Sequence, residues 1–235
     1  MTSYIRTHAI ILKKKDYFDN DRQITLYTKN YGKITAIAVG ARKIKSKLSG
    51  ELEPFCISDI YLVQAKNTKI IGAENIRRFS AVTSSLEKIR IIGFYFHVID
   101  TLIKDGHPDA ELYDFLKNMI EIVEEDKVGL SSALLKSFFQ LRVLDMLGYR
   151  PEVASCVVCS GVITNGYNFF SPQKGGIVCV YCQKSPKDFP SSDNAVKVVK
   201  AFLALPVKDI PRLRLEDALI GEFRTIIDEF YEFRR

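Results

Sequence analysis

Four of the five cysteines fall in two pairs, Cys156-Val-Val-Cys159 and Cys179-Val-Tyr-Cys182, with 19 residues between the pairs. No other feature of the 235-residue chain constrains its folding as tightly. A two-residue gap lets both thiolates of a pair face one ion about 2.3 Å away, and two pairs complete a tetrahedron. Ser160-Gly161 after the first pair and Gly175-Gly176 before the second permit tight turns. Two disulfides or four free thiols are the competing readings. No apolar run reaches the roughly 18 residues needed to span a bilayer. Met1 to Lys15 has no signal-peptide pattern, so the expected compartment is the reducing cytoplasm, where disulfides are rare. The spacing therefore predicts one structural zinc per chain. Four cysteine ligands close such a site and leave no coordination position for substrate or water. Cys56, in a strand-like stretch, reads as a small buried hydrophobe.

The formal charge of +6 is unevenly placed. Residues 1–80 hold 15 Lys/Arg and 7 Asp/Glu, a balance of +8, and the remainder of the chain sums to −2. Such asymmetry points to a polyanion-binding module on a near-neutral body. The same 80 residues are patterned for strands. Tyr4 to Lys14 reads as a long strand, and Arg22 to Thr28 alternates with Ile24 and Leu26 on one face. Asn30-Tyr31-Gly32 supplies hairpin chemistry before Lys33 to Val39. Ile57 to Gln64 and Thr68 to Ile71 complete about five strands, with Lys66-Asn67 in a turn between them. Five short antiparallel strands suit a small barrel, either an oligonucleotide-binding (OB) fold or an SH3-like barrel.

Beyond residue 84 the period becomes helical. Ser84 with Glu87 makes a capping box, and Leu86, Ile89, Gly93, Phe96, Ile99 and Ile103 share one face. Pro108 suits a first helical position, and Leu112, Phe115, Leu116, Met119, Ile120 and Val123 form an apolar stripe. Ser131 to Leu147 is apolar on nearly every side, as for the centre of a helix bundle, and Gly148 and Pro151 stop it. After an irregular cysteine segment, Ser192 to Leu205 and Glu216 to Phe233 read as two more helices. The last has Leu219, Phe223, Ile226, Phe230 and Phe233 as its buried stripe. His97, within an apolar helical stretch, reads as a packing residue. The expected segmentation is a barrel over 1–80, helices over 81–150, a metal-binding insertion over 151–188 and closing helices over 189–235.

One segment has the composition of a phosphate clamp. Gly40-Ala-Arg42-Lys43-Ile-Lys45-Ser-Lys47-Leu-Ser-Gly50 holds four cations and no acid. Such a loop neutralises phosphates without reading sequence. Arg22 and Lys33 are weaker candidates for the same task, and Tyr4, Tyr27 and Tyr31 are candidates for stacking unpaired bases. The bland alternatives are a solvated loop and ordinary strand packing. No GxxxxGK[ST] loop, HExxH helix or GxSxG elbow occurs, and nothing nominates a nucleophile or an acid–base pair. The residues thus describe a binding protein rather than an enzyme, with a zinc-ribbon RNA-binding or transcription-associated module as the alternative.

Several motifs in fixed order resemble the bacterial RecO family of recombination mediators. They are Arg6-Thr-His-Ala-Ile-Ile-Leu-Lys, Asp19-Asn-Asp21-Arg22 with Leu26-Tyr-Thr28 and Tyr31-Gly-Lys33, and Gly40-Ala-Arg42 with Lys45-Ser46, followed by Pro54-Phe55. Leu147-Gly148-Tyr149-Arg-Pro151 then precedes the first cysteine pair, and Phe170-Ser-Pro172 with Gly175-Gly176 the second. Asp19 stands where the family pattern has glutamate. The resemblance implies an α+β, multidomain protein: an N-terminal OB barrel, then a helical domain with an inserted four-cysteine zinc ribbon. It implies binding of single- and double-stranded DNA and annealing of complementary strands. It also implies contact with the acidic tail of the single-stranded DNA-binding protein and, with RecR, loading of RecA for repair in the cytoplasm, at the nucleoid. Arg42, Lys43, Lys45 and Lys47 would bind phosphate. Arg142 or Lys136 would supply the cation for the partner tail, unless both are simply solvated.

Overall fold

The computed structural model describes residues 3–64, 67–126 and 129–235, so the Lys66 half of the expected Lys66-Asn67 turn lies outside the described residues. The chain divides into two compact units, Met1–Glu125 and Asp126–Arg235. This boundary falls inside the segment 81–150 expected to open the helical domain. The three helices over Ser80–Thr83, Leu86–Leu102 and Ala110–Glu125 belong with the barrel because the second of them packs on its first strand as well as on the third.

The first unit is built on a closed barrel of β1 (Ser3–Tyr17), β2 (Asp21–Thr28), β3 (Gly32–Ala38), β4 (Cys56–Gln64) and β5 (Lys69–Arg78), in the order β1-β2-β3-β5-β4. Closure depends on β1. Its first half pairs with β4 and its second with β2, both antiparallel, and a bulge between Ile11 and Lys13 bends it from one partner to the other. Ala9, Ile10, Ile11 and Leu12 are consecutively buried there, which breaks simple alternation. Parallel pairing of Ile37–Ala38 with Lys69–Ile70 completes the ring. Ala9, Ala36 and Ala38 share the interior with Ile24, Leu26 and Ile60, the small side chains fitting a narrow barrel. Two elements depart from the sequence reading. β5 runs on to Arg78 rather than ending at Ile71, because it is largely exposed and lacks an apolar alternation to mark it. A short helix, α1 (Lys47–Glu51), forms inside the basic loop.

Three helices follow: α2 (Ser80–Thr83), α3 (Leu86–Leu102) and α4 (Ala110–Glu125). The cap of α3 is Ser85, whose Oγ accepts from Lys88 N–H at 3.4 Å, so a simple serine cap one residue later replaces the expected Ser84–Glu87 capping box. Asp109 rather than Pro108 starts α4, its carboxylate accepting from Leu112 N–H at 2.9 Å. The α4 stripe is buried as patterned. On α3, however, Leu86 is 64% exposed and His97 is exposed, while Ile91, Ile92, Tyr95 and Val98 are buried. Contacts with both β1 and α4 rotate and widen the buried arc.

The second unit packs α5 (Ser132–Met146), α6 (Asp193–Ala204) and α7 (Asp217–Arg234) together. Leu134, Leu135, Phe138, Phe139, Leu141 and Leu144 bury most sides of α5, and Phe202 meets Phe138 and Phe223 edge-on. A 3-10 turn over Val207–Arg212 links α6 to α7. On α7, Ile220, Ile227 and Tyr231 are buried and Phe233 is exposed, a small rotation of the expected stripe. The cysteine segment is more ordered than its irregular composition suggests. Strands β6 (Asn168–Ser171), β7 (Gly176–Cys179) and β8 (Phe189–Ser191) form a sheet in the order β7-β6-β8.

Candidate metal centre and nucleic-acid interface

Backbone turns bring the four cysteines together. The N–H of Cys156 donates to Gly161 O and that of Ser160 to Cys156 O, both at 2.8 Å, closing the first knuckle with Ser160 in the left-handed region. Cys182 N–H donates to Cys179 O at 3.0 Å in the second. Val157 N–H donates to Ile177 O at 2.9 Å, tying the first knuckle to β7, which ends at Cys179. Glu152 braces the approach, its carboxylate accepting from the N–H groups of Ala154 (2.7 Å) and Ser155 (2.9 Å).

All four Sγ atoms lie within 4.8 Å of one another, and Cys159 Sγ is 3.9 Å from Cys179 Sγ. Tetrahedral bonds of about 2.3 Å to one ion place sulfurs ~3.8 Å apart, so this spacing fits a tetrathiolate site. The electrostatics agree. Burial alone would raise the Cys156 thiol, but N–H groups of Cys179, Cys159 and Val158 outweigh it and bring it down to about 6. Hydrogen bonding with the Cys179 and Cys159 side chains pushes Cys182 up to about 12. Four sulfurs this close ionise together only with a cation among them. Cys56 is buried in β4, away from this cluster in sequence and in the other unit.

The basic segment is folded rather than loose. Ala41 and Leu52 are fully buried and anchor its two ends in the barrel core. Gly40 adopts φ 66°, its N–H donating to Asp21 Oδ1 at 2.8 Å, and the Lys43 stem lies 3.6 Å from where a Cβ would stand. Lys43, Lys45 and Lys47 are exposed and have no carboxylate partner among the described residues. Arg42 is more constrained, pairing with Asp16 at 3.5 Å and donating to Phe18 O at 3.2 Å.

The weaker candidates are placed elsewhere. Arg22 is largely buried between Asp16 and Glu53. Lys33 Nζ donates to Asp100 O at 2.7 Å and pairs with Asp100 and Asp105, so it ties β3 to the end of α3 rather than facing solvent. Tyr27 is 0% exposed against Tyr113, which removes it as a stacking residue; α4 covers the strand face that alternation had left for solvent. Tyr31 is exposed, at the β2–β3 turn. That turn lies a strand length, roughly 25 Å, from the basic segment beside the start of β2. Tyr4 is exposed near the start of β1. In the second unit, Arg142 donates to Leu205 O (3.0 Å) and Phe202 O (3.4 Å), closing the end of α6, and Lys136 is half-buried on α5.

Phe18 is an exposed aromatic outside the three tyrosine candidates. It is 76% exposed at the β1–β2 turn, with φ 48°. Its signal was an aromatic at the head of the polar run Asp19-Asn-Asp21, where a turn has no reason to hold one.

A closed five-stranded barrel followed by a helical unit with a four-thiolate ribbon defines an α+β class of two-unit proteins with a candidate metal site. Residues 1–79 match the family model for the recombination protein O N-terminal part, and residues 83–234 that for its C-terminal part. The chain belongs to the recombination protein O family, RecO, a family of DNA repair proteins. It is 30% identical over 223 residues to the DNA repair protein RecO of Dehalococcoides mccartyi, covering 94% of this chain and 87% of that one. It is 27% identical over 232 residues to that of Syntrophus aciditrophicus, covering 96% and 88%. Against the RecO of a Thermoanaerobacter species the identity is 27% over 228 residues, covering 96% and 90%.

Proposed function

We propose that the chain is a non-enzymatic DNA-repair mediator that holds DNA by its backbone and anneals complementary strands. The observation that carries this is the distribution of unpaired charge. Most cations of the first 80 residues are neutralised internally, as in Arg6–Asp59, Lys14–Glu53, Arg22–Glu53, Lys33–Asp100 and Arg77–Glu121. Among the described residues Lys43, Lys45 and Lys47 have no carboxylate partner, as is true of Lys15 and Lys69, but only these three cluster on one segment anchored to the barrel. The strand order with its single parallel contact supports reading the barrel as an OB fold, whose loops bind oligonucleotides. Phosphate contacts leave base edges free to pair, and cations screen the repulsion between two strands brought together.

Within this reading the four cysteines hold one zinc that shapes the ribbon and takes no part in chemistry. The proposed segments are a DNA-binding barrel over 1–80, helices over 81–150 and 189–235, of which α2–α4 share the barrel's compact unit, and the metal insertion over 151–188. Family membership supports RecR and the acidic tail of the single-stranded DNA-binding protein as partners, with the tail assigned to α5 at Lys136 or Arg142. It supports RecA loading as the outcome, in the cytoplasm at the nucleoid.

The test combines Arg42→Ala, Lys43→Ala, Lys45→Ala and Lys47→Ala in one variant. Single-stranded DNA affinity should fall at moderate salt, and the slope of log affinity against log salt should flatten by about 0.7 for each phosphate that is no longer neutralised. Annealing of strands coated with single-stranded DNA-binding protein should slow in parallel. Unchanged binding and annealing in a folded variant would defeat the proposal.

A further inference from the structure

Phe18 sits where neither sterics nor solvation favours it. A φ of 48° lies in the left-handed region that a bulky aromatic seldom adopts, and a glycine or asparagine would fill the turn with less strain. The ring is mostly in solvent, so burial does not offset the strain. Strained residues persist where their surroundings over-determine them, and they collect at ligand sites.

The surroundings of Phe18 do fix it. The Tyr17 ring meets it edge-on, with centroids 4.4 Å apart and planes at 68°. Arg42 Nη1 donates to Phe18 O at 3.2 Å, and Arg42 N–H donates to Asn20 O at 3.0 Å. Gly40 N–H donates to Asp21 Oδ1 at 2.8 Å. The β1–β2 turn and the basic segment are therefore one hydrogen-bonded body, carrying an exposed ring and three lysines that have no carboxylate partner among the described residues.

We propose that Phe18 is a base-stacking platform that receives one unpaired base of a strand whose phosphates lie along Lys43, Lys45 and Lys47. This rests on the DNA-binding reading above and adds to it the selectivity of the site. Its occupant is an unpaired nucleotide because only such a strand offers an anionic backbone together with free π faces. A duplex offers the same phosphates, but its bases are already stacked on one another, so the lysines bind both forms and the ring binds one. Stacking leaves the pairing edge of the base open. An incoming strand pairs with it and draws it off the ring, so Phe18 favours substrate strands over the annealed product.

The chain has no tryptophan, so Phe18→Trp in the full chain installs a single fluorescent reporter at the site. Oligothymidylate should quench it. An abasic strand of equal length and a duplex should bind with little quenching. Phe18→Ala should lose about tenfold in affinity for oligothymidylate, with no loss for the abasic strand or the duplex and an unchanged salt slope. Its melting temperature should hold, because the ring packs in no core. An unquenched Phe18→Trp that binds oligothymidylate overturns the proposal. So does a Phe18→Ala variant that loses nothing, or loses equally on all three ligands. Wild-type protein that binds none of the three overturns the DNA-binding reading itself, and the platform with it.

Discussion

Among the described residues the buried hydroxyl of Tyr27 has no hydrogen-bond partner, its ring lying 6.2 Å from that of Tyr113. Burial pushes its ionisation far above the usual phenol range, so it stays neutral. A buried hydroxyl left unmatched costs about 1–3 kcal/mol. Tyr27→Phe is therefore expected to raise stability by about 1 kcal/mol in denaturant titration while DNA affinity holds; weaker binding with no gain in stability would return Tyr27 to the interface. Lys33 behaves in the opposite sense, since its ammonium satisfies a backbone carbonyl and two carboxylates at the end of α3. Lys33→Ala should cost about 1–3 kcal/mol of stability and leave the salt dependence of DNA binding unaltered. A flatter salt slope in a variant of native stability would show that Lys33 reaches phosphate after all.

Among the elements, the ribbon depends on one close approach. A Cβ at Gly176 would stand 2.3 Å from Glu152 O, a backbone atom that cannot move aside cheaply. The two segments are also joined there, Ile177 N–H donating to Glu152 O and Glu152 N–H to Gly175 O. Because β7 ends at Cys179, Gly176→Ala should displace the second cysteine pair relative to the first. Metal analysis is expected to show clearly less metal bound at the four-cysteine site in that variant than in the wild type, with the barrel intact by circular dichroism. Full metal content would mean that the sheet absorbs a methyl group at this position. The helix starts are sturdier, since Ser85, Ser131 and Ser192 each accept from an N–H three residues on. Such caps act locally, so the starts at Ser131 and Ser192 are legible in sequence, whereas adjacent Ser84 and Ser85 left the start of α3 one residue off.

Across the whole molecule, net charge is shared, +3 on residues 1–125 and +3 on residues 126–235, because nine carboxylates against four cations over 81–125 offset most of the +8 of residues 1–80. The four-cysteine candidate metal site belongs to residues 126–235 alone. Among the described residues no helix is long and apolar enough to cross a membrane. Treatment with a chelator, which would empty the candidate four-cysteine site, is expected to raise amide hydrogen exchange across 151–191 first, with β1–β5 protected as before. Exchange rising equally in the barrel would mean that the ribbon supports the whole fold and not its own unit.

Much of this was written locally. The spacing of Cys156, Cys159, Cys179 and Cys182 determined a four-sulfur cluster, because two-residue gaps and adjacent glycines act over a few bonds. The stripe of α4, the caps at Ser131 and Ser192 and the cationic run from Arg42 to Lys47 are likewise properties of short windows. Tertiary structure decided what a window cannot hold. It covered Tyr27 with α4, drew Lys33 and Arg22 into ion pairs with carboxylates far along the chain, and turned the buried arc of α3 toward two partners at once. It also left Phe18 in solvent beside Arg42. Each is a matter of which distant surface arrives opposite a residue, and that is settled only when the barrel closes and the helices pack upon it.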